Sequence, residues 1–583
     1  MKAVGYWFKE GATALGDRFG AGTVALRKPF RRVGETGAAV AARVRDLDPL
    51  RRRSLGGAVG VLAVALIWLL VPIPGVPCGW TPAKECPPPD EAAELVPANS
   101  LVFGRLSLER EATQNERADA VAKRLPDLRA IFDGAGTAIG ATGPIASFGE
   151  EVVPWAEGEL AFALVPGAGQ APERVAIVGV GEEKGADSFL DRFGGGAKPA
   201  TDESDGVEIS RYDGGLATAR IGDRLVFGSA AGVGAVVRTS AGDAESLAES
   251  DPSPRADLPT QRFADVYVSG EGARRQLEGS PAGSGASQLD TFVDYSTTTG
   301  FAASFAATTK GIEIEVISDL DPAADQSRRT ALATLPEFDP TLLRLAPADT
   351  LAYLGAGDFE AAVTDRRRGG LGGAFGGALQ ALEGDLRGRG GGEALDRLLP
   401  LLKGEAALIV EPTGSLPAFT LVVDGVKPSR VERAMADLQA PLGRAYGAAD
   451  ERRVARFEAF SIEGADGYSL DAAPGLQISY AVVDGRLLFS TSRRSLERVA
   501  KASGGLTESE PYSRASPQVE EGASAILFVN LDEILGLVEL AGLAEDPLYA
   551  SISDDIGRSG ALALSITGER TRLVSRIFLA APR

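Results

Sequence analysis

The chain has 583 residues, with 60 Lys and Arg against 80 Asp and Glu, a formal net charge of −20 and no histidine. A chain without imidazole cannot run Ser-His-Asp or Cys-His catalysis, ligate zinc through His, or hold haem on a proximal His. The acidic balance argues against nucleic acid or anionic lipid as a partner of the bulk of the chain. Arg outnumbers Lys 49 to 11 and Ala and Gly are heavy, as GC-rich coding would give. The missing His therefore speaks against mechanisms rather than for a function.

Residues 1–53 form a basic leader, with 12 Lys and Arg against 5 Asp and Glu; the rest of the chain carries 48 against 75. Trp7, Phe8, Leu15, Phe19 and Leu26 suit an interfacial helix, and Arg27, Lys28, Arg31, Arg32, Arg43, Arg45 and Arg51–Arg53 suit an anionic inner leaflet. A disordered basic leader reads the same residues equally well.

The run from Ser54 to Ala83 holds no charge. A bilayer core takes roughly 20 apolar residues in a helix, so residues 54–74 are predicted to be a transmembrane helix. Basic flanks stay inside, which puts the N-terminus in the cytoplasm and residues 75–583 outside. A cleaved signal peptide fits less well, because the leader is long and Pro72, Pro74 and Pro77 stand where cleavage would fall. The expected location is the plasma membrane, crossed once.

Residues 75–94 read as a Pro-rich linker containing the chain's two cysteines, Cys78 and Cys86. Close together in an oxidising compartment, they predict a local disulfide. Two thiolates without His make a poor metal site. Pro77 stands where a lipoprotein signal carries a small residue.

The remainder repeats itself. LVPANSLVFGRLSLE (95–109) returns as LAPADTLAYLGAGDFE (345–360), and EGELAFALVP (157–166) as KGEAALIVEP (403–412). RIGDRLVFGSAAGVGAVVRTS (220–240) returns as VVDGRLLFSTSRRSLERVAKA (482–502), and FADVYVSG (263–270) as SAILFVNL (524–531). Matched segments in one order predict two homologous extracytoplasmic domains, 95–322 and 336–583, with 323–335 as junction.

Each half reads as α+β. Strands are predicted at Leu101–Leu106, Leu160–Val165, Val175–Val180, Leu216–Ile221, Leu225–Gly228, Val266–Ser269, Phe301–Ala306 and Ile312–Ile317. Tight turns such as Gly222-Asp223 and Asp484-Gly485 make the pairing mainly antiparallel. Helical patterns fall at Glu116–Phe132, Asp187–Phe193, Ala230–Val237, Ser429–Leu438 and Arg494–Ala502, and predict helices packed on one face of the sheet. The Gly-rich stretch 369–392 reads as a loose helix.

Candidate sites are sparse. Gly179-x-Gly181-x-x-x-Gly185 departs from the dinucleotide spacing and reads as turn glycines. Asp202-Glu203-x-Asp205 does not fit a calcium loop and reads as a solvated loop. Asp319, Asp321 and Asp325 suit either a calcium-stiffened junction or plain loop acids, and Asp554-Asp555 suits a helix start or a loop pair. Trp155, opposite Leu401 in the second half, reads as core. No catalytic, cofactor or metal residues are assigned, and no cofactor is expected.

The Val96-Pro97-Ala98-x-x-Leu101 strand opening resembles a known family. So do the Trp155 and Gly158-Glu159-Leu160 strand and the Val482-x-Asp484-Gly485-Arg486-Leu487-Leu488-Phe489 hairpin. The chain looks like domain-of-unknown-function family 3352, bacterial membrane-anchored proteins, over residues 95–583. The resemblance implies the architecture and an envelope location and brings no activity. Three functions stay open: a non-enzymatic binding or scaffold module of the envelope, a carrier or sensor of a hydrophobic or envelope ligand, and a carboxylate-dependent hydrolase. The partners implied are membrane lipid around the single helix and an envelope protein, lipid or glycan outside, with no nucleic acid.

Overall fold

The structure, a computed structural model, describes residues from Pro87 to Pro582, with the main gaps at 126–147, 280–296, 324–334, 365–382 and 541–553. The predicted span 54–74, Cys78 and Cys86, Asp325 and most of the Gly-rich stretch lie outside the described residues. Among the described residues no helix is long and apolar enough to cross a membrane.

The protein is mixed helix and antiparallel sheet. The first half contributes β1 (Val102–Ser107), β2 (Ala156–Val165), β3 (Glu173–Val180), β4 (Ala200–Ser204), β5 (Val207–Tyr212), β6 (Leu216–Ile221), β7 (Arg224–Ser229), β8 (Ala264–Ser269), β9 (Thr298–Ala307) and β10 (Gly311–Leu320). The second contributes β11 (Ala352–Ala356), β12 (Ala406–Glu411), β13 (Ala418–Val423), β14 (Glu458–Ile462), β15 (Ala465–Ala473), β16 (Leu476–Val483), β17 (Arg486–Ser490), β18 (Ala525–Asn530), β19 (Ala561–Glu569) and β20 (Arg572–Ala580). All belong to one 20-stranded sheet.

In the first half the spatial order is β4-β5-β6-β7-β3-β2-β1-β8-β9-β10, every neighbour antiparallel. The second half runs β14-β15-β16-β17-β13-β12-β11-β18-β19-β20, the same order strand for strand. The last strands, β10 and β20, pair with each other and join the halves.

That junction has a local pseudo-two-fold. Glu315 faces Ser304 on β9, which faces Asp265 on β8. Arg576 faces Ser565 on β19, which faces Ile526 on β18. Glu315 and Arg576 are thus equivalent positions, and they stand directly opposite each other on β10 and β20. Two identical halves would place like charges there. These halves place an ion pair, Arg576 Nε to Glu315 Oε2 at 3.8 Å, with both side chains largely buried.

Helices cover both faces of the sheet, not one. In the second half, α5 (Pro428–Tyr446) packs on Val423 and Leu487, while α6 (Arg493–Lys501) packs on Val422 and Leu488. In the first half, α2 (Glu183–Phe193) packs on Val178 and Leu225, and α3 (Ala230–Ser240) on Ile177 and Val226. The cause is in the strands: AFTLVV and RLVF carry apolar side chains on both alternations, the pattern of a sheet buried on both sides.

The strand-opening motif has a structural explanation. Ser100 donates its Oγ proton and its amide to Pro97 O at 2.7 and 3.0 Å, and Thr350 does the same to Pro347 O at 2.7 and 3.1 Å. Each turn then releases a leucine amide to the next strand: Leu101 N to Leu164 O and Leu351 N to Val410 O, both 2.8 Å. The Gly-Glu pair also recurs in role. Glu159 accepts from Glu91 N at 3.1 Å, and Glu405 accepts from Thr341 N at 3.2 Å and Leu342 N at 2.8 Å. Each carboxylate caps the 3-10 turn that precedes the Pro-Ala motif.

Candidate functional site

Several residues singled out in the sequence turn out to belong to the frame. Trp155 is buried, stacks at a tilt on Phe189 at 5.4 Å, and donates its indole N–H to Glu151 O at 2.6 Å. Gly179 and Gly185 permit close approach: a Cβ on either would meet Glu157 O or Trp155 Cβ inside contact distance. Asp202 lies on β4 and pairs with Arg211 on β5 at 3.0 Å, so that segment is an exposed hairpin rather than a loop. Asp319 pairs with Arg572 at 2.7 Å, Asp321 accepts from Ala323 N, and buried Asp555 pairs with Arg558 at 2.7 Å.

A buried ionic cluster escaped the sequence reading. Arg105 on β1 stands opposite Asp265 on β8, with Nε to Oδ1 at 3.3 Å. Arg262 and Arg255 reach the same Oδ1 at 2.6 and 3.2 Å. Burial by itself would push the Asp265 carboxyl up, but the charges of Arg255, Arg262 and Arg105 outweigh it and hold it well below the usual range. Asp90, in the segment read as linker, contacts the same three guanidiniums and so straps the chain to the sheet before β1. Arg105 lies 160 residues from Asp265, and Asp90 lies 165 and 172 residues from Arg255 and Arg262, so no local pattern announces the cluster.

The second half holds an apolar cavity of about 150 Å³. It lies between the sheet and the helical layer of α5 and α4 (Gly392–Leu398), against Leu398, Leu421, Met435, Leu438, Leu442 and Phe489. Among the described residues Glu383 supplies the one charge of its lining and is tied to Arg387 at 2.8 Å.

The equivalent place in the first half is filled by aromatic rings. Phe193 contacts Phe189, Tyr212 and Phe227 at ring separations of 5.6, 5.7 and 5.7 Å. Val178 pairs with Leu225 and Val423 with Leu487, and Phe193 and Leu438 follow those strand residues at the same interval. The helix that carries a phenylalanine in the first half carries a leucine in the second. Leu438 lines the cavity, and interiors leave few voids of that size.

The buried carboxylates among the described residues are all held in the frame. Glu159 and Asp265 are bonded as above, and Glu315 pairs with Arg576. Glu411 accepts from Ser495 Oγ and faces Arg498 at 3.3 Å, and Asp555 pairs with Arg558. Burial raises the carboxyls of Glu159 and Glu411 above their ordinary range, only partly offset by Arg105 and Arg224 for the first and by Ser495 and Arg498 for the second.

Architecture and cavity together define a duplicated antiparallel-sheet protein with an asymmetric interior. The chain belongs to the family described as "Protein of unknown function (DUF3352)", which matches residues 55–447. The match starts earlier and ends earlier than the 95–583 that the motifs suggested. No curated protein matches the chain. Crystal forms I and III of the protein TP0453 align over 41% and 42% of this chain and 82% and 83% of their own. Identity is 9% and 11% and the TM-scores are 0.25 and 0.23, a likeness that carries no argument.

Proposed function

We propose that the protein is a non-enzymatic binding module of the cell envelope whose second half receives an apolar group, the end of a lipid chain, between α5 and the sheet. Residues 54–74 hold it at the membrane with the N-terminus cytoplasmic and the bulk extracytoplasmic. The basic leader and acidic remainder support that orientation. The family match beginning at Leu55, inside the apolar run, supports counting the span as part of the unit. A disulfide between Cys78 and Cys86 closes the segment between span and sheet.

The observation that carries the reading is the apolar space of about 150 Å³ in the second half, lined by Leu438, at a place where the first half packs Phe193 among aromatic rings. A dry cavity of that size takes one benzene-sized group. Duplication supplies the logic: one copy keeps aromatic packing at this place and the other is released to bind. The bonding of the buried carboxylates into the frame favours binding over a hydrolase.

The test is photolabelling of the full chain in membranes with a fatty acid bearing a terminal diazirine, followed by peptide mapping. Labelling of the α5 peptide that contains Met435 and Leu438 is expected. Leu438→Phe, which restores the first half's residue, should remove it while raising the melting temperature. Equal labelling of α5 in the wild type and in Leu438→Phe would contradict the assignment.

A further inference from the structure

The continuous sheet has two outer edges, β4 and β14, which are equivalent strands of the two halves. Its inner edges, β10 and β20, cover each other, and Arg124, just past α1 (Thr113–Ala122), donates from the first half to Pro582 O at 2.9 Å. Among the described residues β4 pairs only with β5, and β14 only with β15. An open edge presents unpaired amides and carbonyls to another chain.

The two outer edges carry different side chains. Each strand runs into a two-residue turn with positive φ, Asp205-Gly206 after β4 and Glu463-Gly464 after β14, so Asp202 and Phe460 stand at the same place. Around Asp202 the edge is exposed and acidic, with Glu203 and Asp205 beside it. Charged side chains of this kind keep a further strand away. Phe460 is half-buried on β14, and a Cβ on the facing Gly467 would meet its ring at 2.5 Å. The Arg493 guanidinium lies 4.2 Å from the ring centroid and is itself held by Glu497 at 2.9 Å. The ring is thus fixed before anything binds, which lowers the ordering cost of an association.

The turn also fixes which backbone groups of β14 face outward. Residues that flank a two-residue turn bond to each other, so Ile462, and by alternation Phe460 and Glu458, turn their amides and carbonyls toward β15. Ala459 and Ser461, both exposed, turn theirs outward.

We propose that β14 pairs with β14 of a second copy of the chain, antiparallel about a two-fold axis at Phe460. In that register Ala459 of each copy stands opposite Ser461 of the other, and these outward-facing residues exchange their amide and carbonyl bonds. Phe460 stands opposite Phe460 at the close, non-hydrogen-bonded spacing, and Glu458 opposite Ile462, so no like charges meet. The same operation on β4 would set Asp202 against Asp202, which is destabilising. Pairing β14 with β4 would set Phe460 against Asp202 and, being heterologous, would not close. The seam supplies the precedent, since β10 and β20 are equivalent strands and already pair in this way. Among the described residues none of β14 lines the α5 cavity, so contact and cavity are tested separately.

The experiment uses the full chain in the membranes of its own host, with a photoreactive benzoylphenylalanine in place of Ala459. Irradiation should give a species of twice the chain's mass, cross-linked to the peptide that contains Ser461. The same probe in place of Thr201, on β4, should give none. Ser461→Pro removes an outward amide and spares the bonds to β15, a place where an edge strand tolerates proline; it should abolish the cross-link and leave the melting temperature of the chain unchanged. Phe460→Asp, which copies the first half, should abolish it too. A chain that stays at its own mass, a cross-link to β4 or to another protein, or a dimer that survives Ser461→Pro and Phe460→Asp would overturn the proposal. Should Ser461→Pro not fold, Phe460→Asp decides it.

Discussion

At the scale of single residues the protein is held by a few buried charges. Asp90 joins three guanidiniums that also share Asp265. Its replacement by Ala takes the carboxylate from Arg262 Nη2 and leaves Arg255 Nη2 with Asp265 alone, and charged hydrogen bonds of this kind cost about 1.5–3 kcal/mol each to lose. Asp90→Ala should lower the denaturation midpoint accordingly; an unchanged midpoint would mean the strap carries no load. Asp265 gives the acid limb of the stability curve. Its folded carboxyl is held below its unfolded value of about 3.9, so its contribution is complete above that pH and is lost as pH falls below it toward the folded value. Asp265→Asn should remove that acid-dependent loss. An unchanged pH profile below pH ~4 would contradict the assignment.

The elements show how far sequence reasoning reaches. The repeated turns and hairpins were legible because each rests on neighbours in the chain: Pro97 with Ser100, Asp484 with Gly485, and apolar runs at β6, β7 and β10. β4 and β5 were not, because TDES and VEISRY are charged on exposed faces and carry little apolar alternation. The second helical layer was missed because strands read one at a time do not say which face a later helix covers. The cavity escaped because its lining, Leu438 among it, comes together only once the helices sit on the strands, and the contrast with Phe193 acquires meaning only there. The junction of β10 and β20 yields an element-scale prediction. Arg576→Glu puts like charges directly opposite across the ladder and should cost on the order of 1 kcal/mol. The exchange Glu315→Arg with Arg576→Glu should recover most of it, and a double-mutant cycle measures the coupling. Additive losses would show that the pair does not set the pairing of the halves.

Over the whole molecule, a continuous ladder from β4 to β14 makes each half the other's edge partner. Open strand edges invite association, and the β10–β20 pairing covers two of them. The halves share a fold order and differ inside, one packing aromatic rings where the other has leucines around a cavity. On the proposed function, this difference makes room for a ligand. Native mass spectrometry of the full chain, released gently from the membrane of its own host, reads that out. A non-covalent adduct with the mass of a lipid-like molecule, lost from Leu438→Phe, is expected. A wild-type chain that carries no adduct beyond loosely attached detergent, indistinguishable from Leu438→Phe, would contradict it.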